Sequence, residues 1–345
     1  MRLSRNLWVI ILICLLLWWI LLVQTNPFNN NTPDQEQSWH FPGTIKIGHL
    51  VALDMAPMFI AKEAWYFTEE WLDVETVFFS NPWDNNAALA VKDVQFSINP
   101  FTLAYLWQQQ GTPMRIISNA WGNSIIEVII QGNYDINTIE ELATHVKSNP
   151  WSKLKIWTLK GDTLDMIIYR SFLEAWLSYD DFDMIWFNDL LAMVQSFKSQ
   201  QIDILSHIRP YTTDLVLNYD GIVLTNNDIV WGDWTPNTTT IVLQDFLEKY
   251  PETIKAYLRA QKKGALLLES DPEAAVDMLV EGRYYQVDRE ILLFALQQHQ
   301  QKSILLRPNQ DWIMSAINDM ISQWYIQPIT QEIIDTSFLE QLNIN

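Results

Sequence analysis

The chain has one cysteine in 345 residues, Cys14. It lies inside an apolar stretch, so the folded part has no disulfide and no thiol chemistry. That fits any redox compartment. Positive charge is also scarce, with 22 Lys and Arg against 41 Asp and Glu and a net charge of −19. A nucleic-acid surface needs a basic face to displace counterions, so nucleic acid is excluded as a partner. Glycine is sparse at 10 residues. The Gly-rich phosphate loops GxxxxGK[ST] and GxGxxG are missing, as are HExxH, paired Cys/His spacings and a Gly-x-Ser-x-Gly elbow. No enzyme activity, cofactor or metal is therefore expected. There is no internal repeat of solenoid length.

What is abundant is apolar and aromatic. Hydrophobic residues make up 49% of the chain and charged residues 18%, and there are 17 tryptophans. That is the balance of a globular protein long enough for two domain-sized units. Leu7 to Val23 is an uninterrupted apolar run of 17 residues. As a helix it would span roughly 26 Å, near the lower limit for crossing a bilayer. Arg2 and Arg5 precede it, and no Lys or Arg follows until Lys46. The positive-inside rule then leaves the N-terminus cytoplasmic and sends the rest outward. Neither a small-x-small cleavage site nor a small residue before Cys14 follows the signal-peptide pattern, so residues 1–25 read as an uncleaved transmembrane signal anchor, with a cleaved signal peptide as the alternative. Residues 26–43, rich in Asn, Pro and Gln, read as a linker.

From Thr44 the pattern alternates. TIKIGHL reads as a strand, APMFIAKEAWYF as a helix and LDVETVFF as a strand. Asn81 and Pro82 are suited to cap and open the next helix. DVQFSI, FTLAYLWQQQ, MRIISNAW and SIIEVIIQ follow as strand, helix, strand, strand. The alternation restarts from INTIEELATHVK, and from Asp245 onward the reading is almost all helix. Strands alternating with helices imply open, mostly parallel sheets with crossover helices. Two such units place a binding cleft between the carboxyl ends of their strands.

The segment IKIGHLVALDMAPMFIAKEAWYFTEEWLDVETVFF resembles the nitrate/sulfonate/taurine family of ABC-transporter solute-binding proteins, which includes thiamine-pyrimidine-type binders. Pro57, Ala61, Glu63, Phe67, Leu72, Asp73 and Val74 carry the match. NPWDNNAALAVKDVQFSI and KYPETIKAYLRAQKKGALLLESDPEAAVDML extend it across roughly residues 44–325. Trp65, Trp71 and Lys92 stand where the family pattern has glycine. The resemblance implies an α/β, two-lobed type II periplasmic-binding-protein fold that closes on its ligand by a hinge. Lobe 1 is expected over 44–131 and 237–345, lobe 2 over 132–236. It implies an inner-membrane-anchored, periplasmic protein that passes a small planar or anionic molecule to an ABC permease. The alternatives are a tethered sensing or scaffold module on the same fold, or an enzyme of thiamine-pyrimidine type. The enzyme's cysteine-rich motif is missing here.

Candidate ligand-binding residues follow from the strand ends. Asp54 and Met55 lie in the loop after the first strand, where Asp54 either caps the next helix or meets ligand. Ser97 and Asn99 end a strand at an Asn-Pro turn. Trp121, Asn123 and Ser124 lie at the crossover, with Trp121 either stacking on a flat ligand or packing between lobes. Gly161, Asp162 and Thr163 open a long helix. Arg209 and Tyr211 follow a strand, and Arg209 either holds an anion bidentately or forms an internal ion pair. His207 reads as structural. Trp231 and Trp234 either pack the hinge or wall the pocket.

Overall fold

The computed structural model describes residues 40–122, 125–232, 236–298 and 306–344. Ten strands form two five-stranded sheets. The first contains β1 (Ile45–His49), β2 (Val74–Phe78), β3 (Phe96–Pro100), β4 (Met114–Asn119) and β10 (Thr238–Leu243) in the order β2-β1-β3-β10-β4. The second contains β5 (Ile126–Gln131), β6 (Lys155–Thr158), β7 (Asp183–Trp186), β8 (Ile204–Ile208) and β9 (Gly221–Asn226) in the order β7-β6-β8-β5-β9.

Each sheet has three parallel strands, then one antiparallel strand and its outer neighbour. β1 is parallel to β2 and β3, while β10 runs antiparallel to β3 and β4. β6 is parallel to β7 and β8, while β5 runs antiparallel to β8 and β9. Both antiparallel strands carry a register shift, at Thr240/Ile241 and at Val128/Ile129. Helices cover both faces, and β3, β5, β8 and β10 are buried along their whole length. That burial accounts for continuous apolar runs such as Val128, Ile129 and Ile130 in place of strict alternation.

Local signals explain several boundaries. Asn81 Oδ1 accepts from Asp84 N at 2.9 Å, with Pro82 in the first turn of the helix Pro82–Ala90. On one face of the first sheet, the long helix Pro251–Ser270 stacks Tyr257 on Phe96 with ring centroids 4.3 Å apart. The same helix crosses the helix Ala56–Glu63 at Gly264, where a Cβ would collide with Pro57 O. Only glycine allows that approach.

One expectation changes, and another falls outside the described residues. The expected lobe boundary leaves β5 in lobe 1, but β5 pairs with β8 and β9, so the chain changes sheet between β4 and β5, ahead of Gly132. Two consecutive strands with no helix between them read as parts of one lobe, yet pairing is decided by non-local packing. The apolar run Leu7–Val23 lies outside the described residues. Among the described residues no helix is long and apolar enough to cross a membrane.

Candidate ligand-binding cleft

The carboxyl ends of β1 and β3 and the start of β10 meet the carboxyl ends of β6 and β8 along a seam. Backbone bonds cross it at Leu53 N to Arg209 O (2.9 Å) and Leu190 N to Ser80 O (3.1 Å). Side chains cross it as well. Gln286 N donates to Tyr211 Oη at 3.3 Å, and Arg170 pairs with Asp319 at 3.3 Å. Trp231 Nε1 donates to the other oxygen of Asp319 at 3.0 Å. Gly161, with φ of +75°, lies where a Cβ would stand 3.3 Å from Leu106 of the first lobe. The two halves are closed on each other.

Asp54 is the central group on the first side. It is fully buried in the short turn Leu53–Met55, and it makes no capping bond. Instead Oδ2 accepts from Thr238 N and Thr238 Oγ1, both at 2.8 Å. Its other oxygen, Oδ1, is buried with no hydrogen-bond partner. Burial pushes its pKa up to about 7, against the lowering effect of the Thr238 bonds. Met55 is buried beside it, with Sδ accepting from Leu50 N at 3.3 Å.

Ser97 and Asn99 point to one face of β3. Ser97 Oγ donates to Asn86 Oδ1 at 3.0 Å, and Asn99 Nδ2 donates to Pro82 O at 2.8 Å. Asn99 Oδ1 and Thr239 Oγ1, on cross-strand partners, are buried without a partner. A buried polar atom left unpaired costs about 1–3 kcal/mol, so each of these two calls for an explanation. Trp121 is buried, with 3% of its surface exposed. Asn123 and Ser124 lie outside the described residues, as does Trp234.

The second side is more fully paired. Asp162 caps the helix Thr163–Glu174 by accepting from Leu164 N at 3.1 Å. Thr163 Oγ1 lies 2.7 Å from Asp162 Oδ1 and 2.8 Å from Asn237 Oδ1 across the seam. One hydroxyl proton serves one acceptor, so the second contact is satisfied by turning the Asn237 amide. Gly161 N donates to Asp165 Oδ2 at 2.9 Å, and Tyr179 Oη donates to Asp165 Oδ1. Burial raises Asp162 and Asp165 to about 6 each.

Arg209 is engaged within its own lobe. Its Nη2 pairs with Glu127 on β5, and Thr212 Oγ1 donates to the other Glu127 oxygen. The peptide bond Arg209–Pro210 is cis. Tyr211 is buried with its ring edge on His207. His207 Nε2 donates to Leu190 O at 2.8 Å, and burial lowers its pKa to about 4, which fits a structural histidine.

The structure thus brings Asp54, Met55, Ser97 and Asn99 to one side of the seam and Gly161, Asp162, Thr163, Arg209 and Tyr211 to the other. Glu127, Thr238, Asn237 and Asp165 join them without having been singled out in the sequence. Glu127 had a signal there, a lone carboxylate within the apolar run SIIEVII, because a buried charge must find a partner. The polar run Asn237 to Thr240 inside a central strand was the signal for Thr238.

Comparison with solved structures finds the same architecture. The chain is similar to the periplasmic nitrate-binding protein NrtA from Synechocystis PCC 6803, with a TM-score of 0.74, 17% identity, and coverage of 86% of this chain and 87% of that one. It is similar to the periplasmic aliphatic sulphonate-binding protein SsuA from Escherichia coli, with a TM-score of 0.69, 15% identity, and coverage of 85% and 96%. A zinc-bound ligand-binding component of an ABC-type import system from Staphylococcus aureus gives a TM-score of 0.71 at 14% identity, covering 86% and 98%. Among the described residues, no group of three or more His, Cys, Asp or Glu side chains is placed to hold a metal ion. No curated protein matches the chain. A family model matches residues 42–279, and the chain belongs to the NMT1-like family, on a periplasmic-binding-protein fold.

Proposed function

We propose that this protein is an extracytoplasmic solute-binding subunit, tethered to the inner membrane by Leu7–Val23, that delivers a small molecule to an ABC permease. The reading is of binding without turnover. Its support is the two-sheet fold with strand ends converging on one seam, together with the family match and the nitrate- and sulphonate-binding neighbours.

Of the two ligand chemistries open from sequence, planar ring or compact anion, the seam favours the ring. The observation that carries this is Asp54, fully buried with Oδ1 unpaired. A carboxylate there repels an anion and accepts from an N–H donor. Asn99 Oδ1 and Thr239 Oγ1 add neutral hydrogen-bonding groups. The Arg209 guanidinium, the sequence candidate for an anion, already has its counter-charge in Glu127. An amino-substituted heteroaromatic ring fits this set: donors for Asp54 and a flat face for Trp121.

Native mass spectrometry of the purified full chain will identify any co-purified ligand. A thermal-shift series with an aminopyrimidine, an alkylsulfonate, nitrate and an aromatic carboxylate follows. Saturation at a hundred times Kd stabilises the folded state by about 2.7 kcal/mol. The aminopyrimidine is expected to raise Tm in wild type and to lose that effect in Asp54→Asn. A shift from nitrate or sulfonate that survives Asp54→Asn contradicts the ligand reading.

A further inference from the structure

We infer that the amino-terminal edge of the first sheet rests on the bilayer surface, with Trp65 and Trp71 seated among the lipid headgroups. The inference rests on the reading of Leu7–Val23 as a membrane anchor.

The two tryptophans flank the single helical turn Tyr66–Glu69, and they are 70% and 93% exposed. Both have left-handed backbones, with φ of 63° and 60°. Glycine adopts that conformation without strain, and a residue with a Cβ does not. The backbone at these positions favours glycine, and both rings are mostly exposed. Tryptophan is the side chain most at home at a membrane–water interface, where an apolar ring and a polar N–H are both satisfied.

Position supplies the second argument. The chain enters the fold at His40 and Phe41, and Phe41 N donates to Thr253 Oγ1 at 2.7 Å. Thr44 Oγ1 then donates to Asp73 Oδ2 at 2.6 Å, and Ile45 N to Asp73 O at 2.7 Å. Asp73 is two residues past Trp71. The chain therefore enters at the foot of β1 and β2, the edge of the sheet that also carries Trp71. Strands lie about 4.8 Å apart, so the feet of β2, β1, β3 and the end of β10 form a row about 15 Å long. Along that row opens a cavity of about 310 Å³ lined by Phe41, Lys92, Asp245, Phe246, Lys249 and Tyr250. Aromatic walls with two ammonium groups, one of them paired with Asp245, suit the glycerol and phosphate region of a zwitterionic lipid better than they suit a soluble metabolite.

A geometric consequence follows. The strand ends that form the ligand seam point away from this edge. With the edge on the bilayer, the cleft of the first lobe faces the solution from which ligand is loaded.

Other exposed tryptophans serve as internal controls. Trp151 and Trp176 are 97% and 86% exposed on the second lobe, and Trp324 is 83% exposed after the helix Gln310–Ser322; Trp176 and Trp324 are also left-handed, with φ of 58° and 61°. None of the three lies at the foot of β1 and β2.

The test uses the full chain labelled with 5-fluorotryptophan in phosphatidylcholine nanodiscs, with the resonances assigned by single Trp→Phe variants. Spin-labelled phosphatidylcholine is then added. The expected result is loss of the Trp65 and Trp71 signals together with those of Trp18 and Trp19 in the apolar run, while Trp151 and Trp176 stay sharp. Loss of Trp18 and Trp19 alone overturns this inference and leaves the anchor reading standing, and equal loss at all exposed tryptophans overturns it too. Retention of Trp18 and Trp19 removes both. A second measurement guards against a packing role. Trp65→Gly/Trp71→Gly is expected to keep or raise Tm, and a lowered Tm shows that the rings serve the fold.

Discussion

The two sheets share one strand order, one antiparallel insertion and one register shift each, yet they treat buried charge differently. On the first side of the seam, Asp54 has one oxygen bonded twice by Thr238 and the other oxygen unpaired. On the second, Glu127 holds both Arg209 and Thr212, Asp162 caps a helix and Asp165 accepts from Gly161 N and Tyr179 Oη. Among the described residues, the second lobe leaves the Thr158 and Ser206 hydroxyls and Trp157 Nε1 buried and unpaired, but no buried carboxylate oxygen. On the proposed reading, the first lobe offers a guest an acceptor carboxylate, and the second offers neutral groups at Trp157, Thr158 and Ser206.

The comparison can be broken at its strongest contrast. Glu127→Ala removes the carboxylate that pairs with the part-buried Arg209 and accepts from Thr212 Oγ1, a change that costs about 3 kcal/mol. A drop of that size in unfolding free energy, read from urea titration, is expected. Asp54→Asn should do the reverse, leaving the urea midpoint unchanged or higher because a buried charge is removed. Its cost falls on binding, since a lost charge-assisted hydrogen bond is worth about 1.5–3 kcal/mol, or roughly ten- to a hundredfold in Kd. Calorimetry with the most stabilising member of the ligand series measures it. If Glu127→Ala weakens binding without unfolding, or Asp54→Asn unfolds without weakening binding, the assignment of roles is wrong.

Closure is the next smaller effect. Thr163→Val removes the contact to Asn237 across the seam at the cost of one neutral hydrogen bond, about 1 kcal/mol. About fivefold weaker binding is expected from that loss, carried by faster dissociation in stopped-flow measurements.

A further effect is on pH dependence. Asp54 has a folded pKa of about 7 against an ordinary value of 3.8, so the folded state holds the extra proton between those values. Stability from this group is full below about pH 4 and is lost as pH rises through 7. Asp162 and Asp165, raised to about 6, act in the same direction. His49 and His207, lowered to about 4, act in the opposite direction between pH 4 and 6.5. The difference between wild type and Asp54→Asn isolates one group. Wild type should lose stability relative to the variant from about pH 4 to 7 in thermal melts, and parallel curves would remove the buried-charge assignment.

Local features are legible in the sequence, and distant pairings are not. The Asn81–Pro82 cap is readable because its partner, Asp84 N, is three residues away. The strands are readable from alternation and short apolar runs. β5 reads as part of the first lobe because its true partners β8 and β9 lie far along the chain. Asp54 stands out from its place after β1, but it does not cap the helix. Its partner Thr238 is 184 residues distant, and no local pattern announces it. Arg209 stands out as a cation after a strand, and its pairing with Glu127 spans 82 residues. Trp65, Trp71 and Lys92 depart from the family's glycine pattern, and each keeps a positive φ of 60–67°. There the backbone conformation survives the change of side chain.

Hydrogen–deuterium exchange on the full chain tests the central claim most directly, with and without the ligand that raises Tm most. A guest clamped at the seam slows exchange on both sides together: at Leu53–Met55, Ser97–Asn99 and Thr238 in the first lobe, and at Gly161–Thr163 and Arg209–Tyr211 in the second. Protection confined to one lobe, or to a surface away from the strand ends, contradicts it.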